Sequence, residues 1–310
     1  MGWDRKRISV VNGDLSKPKL GLTPTQVKAL TGKVQHFFHL AAIYDLAADA
    51  ESQKVANVEG TRHALELAAA IKAGCFHHTS SIAAAGLTPG VFREDMFEEA
   101  EGLQDPYFRT KHDSEGLVRK QTKVPYRIYR PGAVVGHSKT GEIDKIDGPY
   151  YLFTLIKKLR QALPQWMPVL GIEGGRINLV PVDFVVDAMD HIAHKRGLDG
   201  HCFHLVDPQP QRVGEVLNVF CRAAHAPEMS MRIDARMLAV VPSAVRGMVL
   251  NLPPVKRFSN MLLRDFRIPP QTLKLLTYPT RFDSRETERA LKGTKIAVPP
   301  LEDYAWRLWD

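Results

Sequence analysis

The chain has 310 residues, 44% of them hydrophobic, enough to bury a large core as one domain or as a main domain with a smaller second one. A formal charge of +8 and a pI near 9.3 favour anionic partners in general, whether nucleotide, acyl-CoA, nucleic acid or membrane surface, without choosing among them. The cysteines are Cys75, Cys202 and Cys221, with no C-x-x-C spacing, so neither a disulfide framework nor a zinc cluster is indicated and a reducing cytoplasm fits. The N-terminus has no signal-peptide apolar stretch, and no run approaches the roughly 18 apolar residues of a membrane span.

In chain order, Ile8 to Asn12 reads as a first strand, followed by Gly13, Asp14 and Leu15. Thr23 and Pro24 suit the cap and first turn of a short helix ending near Leu30. Val34 to Leu40 is a second strand that runs into Ala41 and Ala42. Glu51 to Ala73 places Val55, Val58, Leu65, Ala68 and Ile71 near the helical period, which predicts a long helix. The strand Cys75 to Ser80 follows, with Thr79, Ser80 and Ser81 at its C-terminal end and a compact Ile82 to Gly86 beyond. A helix from Tyr107 to about Arg119 and a strand from Tyr126 to Arg130, closed by Pro131 and Gly132, complete an alternation of strand and helix. Short connections between such elements argue for parallel strands joined by crossover helices, an α/β fold. Sites in these sheets form beyond the C-terminal strand ends, which is where Asp14, Ala41, Ala42, Ser81, Pro131 and Gly132 fall.

The character changes near residue 138, giving an expected division into 1–137 and 138–310. Tyr150 to Leu163 predicts a helix, Gly171 to Gly175 a turn, Ile177 to Val180 a strand and Asp183 to Ala193 an amphipathic helix. His201 to Val206 predicts a strand and Val213 to Ala224 a helix, and Met229 to Tyr278 predicts short helices broken at Pro242, Pro253-Pro254 and Pro269-Pro270. This second half reads as a mostly helical cap on the substrate side.

Tyr107 and Lys111 carry the sharpest chemical signal. Asp105 can cap the helix that Pro106 opens, and a spacing of four puts phenol and ammonium on one helix face, near enough for the cation to favour a phenolate. A surface Tyr and Lys that fall four apart would give the same spacing. No metal site is expected. His77-His78, His191/His194 and His201/His204 form no metal signature, while His36 and His39 would point to opposite faces of their strand. GIEGG at 171–175 lacks P-loop spacing and its Lys, so it reads as a loop near substrate. The basic residues of 246–267 alternate with apolar ones, which excludes a nucleic-acid tract.

The ordered motifs HLAA at 39–42, NVEGT at 57–61, HTSSIAAAG at 78–86, Tyr107-x-x-x-Lys111 and YRPGAVVG at 129–136 resemble the extended short-chain dehydrogenase/reductases. FREDMFEEAE, HSKTGEIDKIDGPYY, NLVPVDFVVDAMDHIAH, NLPPVKR and YPTRFDSRET resemble, more narrowly, the amino-terminal module of bacterial fatty acyl-CoA reductases, relatives of the thioester-reductase and male-sterility proteins. The resemblance implies a Rossmann-like parallel sheet with helices on both faces and NADPH-dependent reduction of a fatty aldehyde or acyl thioester such as acyl-CoA, with NADH as the alternative cofactor. It also implies roles. Tyr107 would protonate the carbonyl oxygen, Ser81 would hydrogen-bond it, with Ser80 and then Thr79 as runners-up, and Lys111 would hold the nicotinamide ribose and tune Tyr107. Asn57 would complete a proton relay or act as a cap or kink residue. Asp14 and Leu15 would lie near adenine, Leu40, Ala41, Ala42 and Thr79 along the cofactor path, and Pro131, Gly132 and Val134 near nicotinamide, although close packing selects small residues as well.

The family's Gly-x-x-Gly-x-x-Gly turn does not precede Ile8, so the chain opens where the family has its third strand, and it stops at EDYAWRLWD where relatives continue into a second reductase module. A truncated sheet is therefore expected, from a shortened coding region or a late start codon, with impaired cofactor binding as its consequence. A catalytically impaired fragment or scaffold, and a nucleotide-sugar epimerase or related reductase, are the competing functions. Met237 to Leu263 with Tyr150 to Leu159 would form an acyl tunnel with a basic rim, or a packed lid core. A cytoplasmic protein is expected, with peripheral membrane contact and self-association as further possibilities.

Overall fold

The structure is a computed structural model that describes residues 7–43, 49–144, 150–167, 169–234 and 278–310. The chain divides into two units that interleave in sequence: Met1–Gly86, Asp95–Arg130 and Ala193–Phe203 form the first, and Leu87–Glu94, Pro131–Ile192 and His204–Asp310 the second.

The first unit is built on a sheet of order β1-β2-β4-β8, with β1 at His36–His39, β2 at Cys75–Thr79, β4 at Tyr126–Pro131 and β8 at Cys202–Leu205, which enters the unit with its first two residues. β1 runs parallel to β2 with His36 opposite Cys75, and β2 runs parallel to β4 with Phe76 opposite Tyr126. Period-2 alternation sorts the side chains. Phe76 and Ile128 sit in the core with Leu67, Ala68, Ile71 and Val118 from the crossover helices. His77 turns the other way, to the Tyr129 hydroxyl at 2.9 Å and to the His36 ring at 3.0 Å, while His39 bonds Thr61 at 3.0 Å on the opposite face from His36.

Helix α1 (Pro24–Leu30) starts as its sequence predicts: the Thr23 hydroxyl accepts from the Gln26 amide, and the Gln26 side chain accepts from the Thr23 amide at 2.8 Å. The long predicted helix is also present. Ala50–Lys54, Val55–Glu59 and Gly60–Ala70 follow without a break as one helix, α2, whose middle turn is π-helical, with the Gly60 amide bonded to the Val55 carbonyl. Gly60 lies against Leu15, and His63 Nδ1 is 2.8 Å from the Leu15 carbonyl oxygen, so α2 pins the 13–22 loop.

In the second unit three short parallel pairs join distant segments: β3 (Gly90–Phe92) with β10 (Thr280–Phe282), β5 (Ala133–Val135) with β7 (Leu179–Pro181), and β6 (Val169–Glu173) with β9 (Met229–Asp234). Their core gathers Ile156, Val216, Phe220, Tyr304 and Leu308. Glu94 is buried there as an acceptor hub. One oxygen takes the amides of His204 (2.8 Å) and Thr287 (3.1 Å) and the Thr287 hydroxyl (2.6 Å), and the other takes the Glu286 amide (2.6 Å).

Two expectations are corrected. Ile8 to Asn12 forms no strand among the described residues, and Val10 is 87% exposed. Apolar alternation supplies a face, but a strand also needs a neighbour for its N–H and C=O groups. Gly171 and Ile172 belong to β6 rather than to a turn, because β9 pairs with them in register. Of Met229 to Tyr278, the described start is strand β9, and the predicted helix breaks and Met237 to Leu263 lie outside the described residues.

Candidate active site

The helix carrying Tyr107 and Lys111, α3 (Pro106–Lys120), begins with Pro106 at its first position and with the Asp105 carboxylate accepting from the Tyr107 amide at 3.0 Å. Tyr107 is half-buried, while Lys111 is buried at 6% exposure. Burial pushes the lysine pKa down to about 8, and no charged partner among the described residues offsets it. An ammonium kept out of water and without a counter-ion is costly to the fold, and a bound anion or polar group would relieve that cost.

Helix α3 packs against the Ile82–Ala85 turn that follows β2 and against the π turn of α2. His112 Nδ1 lies 3.1 Å from the Ala84 carbonyl oxygen, and its ring stacks on Phe97 at 4.1 Å. Gly86 ends the Ile82–Ala85 turn at φ +61, where a Cβ would collide with the Glu101 carbonyl. The candidate residues Ser81, Tyr107, Lys111 and Asn57 thus sit on three packed elements of one unit.

The three hydroxyls at the end of β2 have different surroundings. Ser81 caps its turn by accepting from the Ala83 amide at 3.1 Å and is half-buried. Ser80 is buried and donates to Glu115 Oε2 at 2.7 Å. Thr79 Oγ1 is buried without a hydrogen-bond partner among the described residues. Glu115 is fully buried and takes four donors: Arg130 Nη2 (2.6 Å) and Arg119 Nε (2.8 Å) on one oxygen, Arg130 Nε (2.9 Å) and Ser80 on the other. Burial opposes its charge, but the Arg130 and Arg119 guanidiniums prevail and hold the carboxyl well below the usual range.

Asn57 is buried in the π turn and grips both main-chain groups of Ile43. Its Oδ1 accepts from the Ile43 amide at 2.7 Å, and its Nδ2 donates to the Ile43 carbonyl at 2.9 Å and to Thr110 Oγ1 at 3.3 Å. The main-chain oxygen of Asn57 takes the Thr61 hydroxyl at 2.6 Å. This grip fixes the loop after β1, in which Leu40 and Ala41 are exposed and Ala42 is half-buried. Burial first, and then the Lys111 charge, lower the pKa of His39 on β1 to about 4, so this ring is neutral beside the lysine at pH 7.

The remaining predicted positions are local or belong to the other unit. Asp14 is half-buried, and its carboxylate closes its own loop, accepting from the Ser16 amide (2.9 Å) and hydroxyl (2.6 Å) and pairing with Lys17 at 3.1 Å, which together lower its pKa to about 2. Pro131, Gly132 and Val134 lie in the second unit. There Gly132 is needed for packing: a Cβ would come 2.7 Å from the Asn178 carbonyl oxygen. Thr110, Glu115 and Arg130 were not singled out as working parts by the sequence, which named Ser80 only as runner-up to Ser81, although Glu115 repeats the spacing of four from Tyr107 to Lys111. Among the described residues no cluster of His, Cys, Asp or Glu has metal-binding geometry, and no helix is long and apolar enough to cross a membrane.

Parallel sheet and crossover helices define a Rossmann-like α/β fold of the extended short-chain dehydrogenase/reductase type. The chain belongs to the male sterility protein family, whose sequence model matches residues 3–189. It is similar to the glycine betaine reductase ATRR of Emericella nidulans, at 31% identity over 66% of this chain and 16% of that protein. It is also similar to a linear gramicidin synthase of Brevibacillus parabrevis, at 32% identity over 66% of this chain and 4% of that protein. The chain thus spans a small part of the length of these relatives. Among solved structures, the terminal R domain from the myxalamid PKS-NRPS biosynthetic pathway superposes with a TM-score of 0.70 at 26% identity, covering 96% of this chain and 72% of that domain.

The donor set of the first unit fits the ribose and nicotinamide side of an NAD(P) cofactor: a buried hydroxyl on Thr79 and a buried ammonium on Lys111, neither compensated among the described residues. The sequence contains no Gly-x-x-Gly-x-x-Gly turn for the pyrophosphate.

Proposed function

We propose that the chain carries the reduction chemistry of a fatty aldehyde or fatty acyl thioester, with NADPH as reductant. The observation that carries this reading is Lys111, buried without a counter-charge among the described residues one helical turn beyond Tyr107, on a helix packed against the Ser81 turn. The cofactor, when bound, supplies the hydride. Tyr107 gives its phenolic proton to the substrate carbonyl oxygen as charge develops there, and Lys111 stabilises the resulting phenolate. Ser81 hydrogen-bonds the same oxygen; its neighbour Ser80 has its hydroxyl engaged by Glu115. Lys111 and Thr79 would hold the ribose side. Asn57 serves by fixing the Ala41–Ile43 loop, since its amide group is taken up by the main-chain groups of Ile43.

Thioester chemistry is supported by the similarity to a peptide synthase and to a terminal R domain. In the test, the purified chain is titrated with NADPH by fluorescence and then assayed with long-chain aldehydes and acyl-CoA. Saturable binding followed by NADPH oxidation is expected, and Tyr107→Phe should lower turnover by ~10²–10⁴ while binding is kept. Unchanged turnover in Tyr107→Phe would overturn the assignment.

A further inference from the structure

We propose that Glu115 is a positioning residue, acting through Ser80 to hold the Ser81 hydroxyl in register with the helix that bears Tyr107 and Lys111. The inference rests on the reading of Ser81, Tyr107 and Lys111 given above. Residues 107, 111 and 115 step along α3 one turn at a time, so the carboxylate is built into the same rigid rod as the proton donor. Ser80 and Ser81 are consecutive. The Ser80 amide donates to the Tyr129 carbonyl at 2.8 Å and its hydroxyl donates to Glu115 at 2.7 Å, which clamps residue 80 from the sheet and from the helix at once. Ser81 follows in extended conformation, free to cap its turn through the Ala83 amide.

The brace is charged where a structural contact could have been apolar. Arg130 grips both carboxylate oxygens, Arg119 adds a third bond, and all the remaining acceptor capacity is directed at Ser80. Well-packed apolar residues usually stabilise a core at least as well as a buried ion network, so the particular contribution of this one is direction and distance. Those are what a hydrogen-bond donor to a reacting oxygen requires, since a misplacement on the order of 1 Å costs on the order of a hundredfold in rate.

Glu115→Gln strips the counter-charge from a buried guanidinium and threatens the fold, so Ser80→Ala carries the test. It should lower kcat for NADPH-dependent aldehyde reduction about tenfold at unchanged KM, while Ser80→Thr, which keeps the hydroxyl, restores it. In a Ser81→Ala background the same change should cost nothing further. Amide hydrogen exchange, which needs no cofactor, should show weaker protection at Ala83 to Gly86 in Ser80→Ala, with β4 unaffected. Equal fold-losses in both backgrounds, or unaltered protection of the turn, would overturn the inference. If Ser81→Ala and Tyr107→Phe both retain full turnover, the functional reading itself fails and the inference falls with it.

Discussion

Lys111 gives the most direct quantitative test, because its environment sets catalysis against stability. Its folded pKa of about 8 lies 2.5 units below the ordinary 10.5 (10.5 − 8), and burial is the cause. At ~1.4 kcal/mol per unit this amounts to ~3 kcal/mol of penalty for keeping the ammonium inside. Lys111→Met keeps the aliphatic stem and removes the charge, so at pH 7 the variant should be more stable by up to ~3 kcal/mol, roughly 5–10 °C in melting temperature. The sign with pH follows from proton binding. Below pH 8 both folded and unfolded chains hold the proton, and the wild type bears the whole penalty. Between pH 8 and 10.5 the folded chain releases its proton first, so wild-type stability rises with pH and the gap to the variant closes. Thermal melts of both proteins at pH 7 and near pH 10 measure this, and the variant should meanwhile lose ~10²-fold or more in turnover. A variant destabilised equally at both pH values would refute the reasoning, since it would mean that the ammonium is compensated in the folded chain.

Gly86→Ala should destabilise the first unit by at least ~2 kcal/mol, read as a lower urea midpoint, because a Cβ at φ +61 collides with the Glu101 carbonyl. Asn57→Ala should free the main-chain groups of Ile43, speeding exchange of its amide and lowering stability by ~1–3 kcal/mol, with weaker cofactor binding as the functional readout. Glu94→Gln should cost ~1–3 kcal/mol in a denaturant melt, since an amide NH₂ would face N–H groups of His204, Glu286 or Thr287 that now meet a carboxylate.

Elements governed by local chemistry were legible in the sequence. The Thr23/Gln26 box, the Asp105-Pro106 start and the apolar period of residues 51–71 each carry their cause within a turn or two of chain, and each element formed as expected. What failed depends on distant partners. β6 contains glycine and holds its extended form because β9, about 60 residues later, pairs with it. Ile8 to Asn12 has the right alternation and no neighbour among the described residues. In the site, strand alternation separates Ser80 from Thr79 and Ser81, but only Glu115, 35 residues on, shows where the Ser80 hydroxyl goes. The π turn leaves no mark in the pattern Val55-Ala56-Asn57-Val58-Glu59, which suits an ordinary helix equally well.

That turn makes α2 a helix whose length matters as much as its composition. The Gly60–Val55 bond spans one residue more than an α turn does, so deleting one residue between 55 and 59 would let the backbone close into regular α geometry with little rotation of the segment before it against the segment after it. The later half would stay keyed to Leu15 by Gly60 and His63 and the earlier half would keep its face, so the change would fall on the turn itself, where Asn57 reaches Ile43. Point substitutions along the helix sample its chemistry. A single deletion samples the extra residue of the turn, and with it the place from which Asn57 holds the loop after β1.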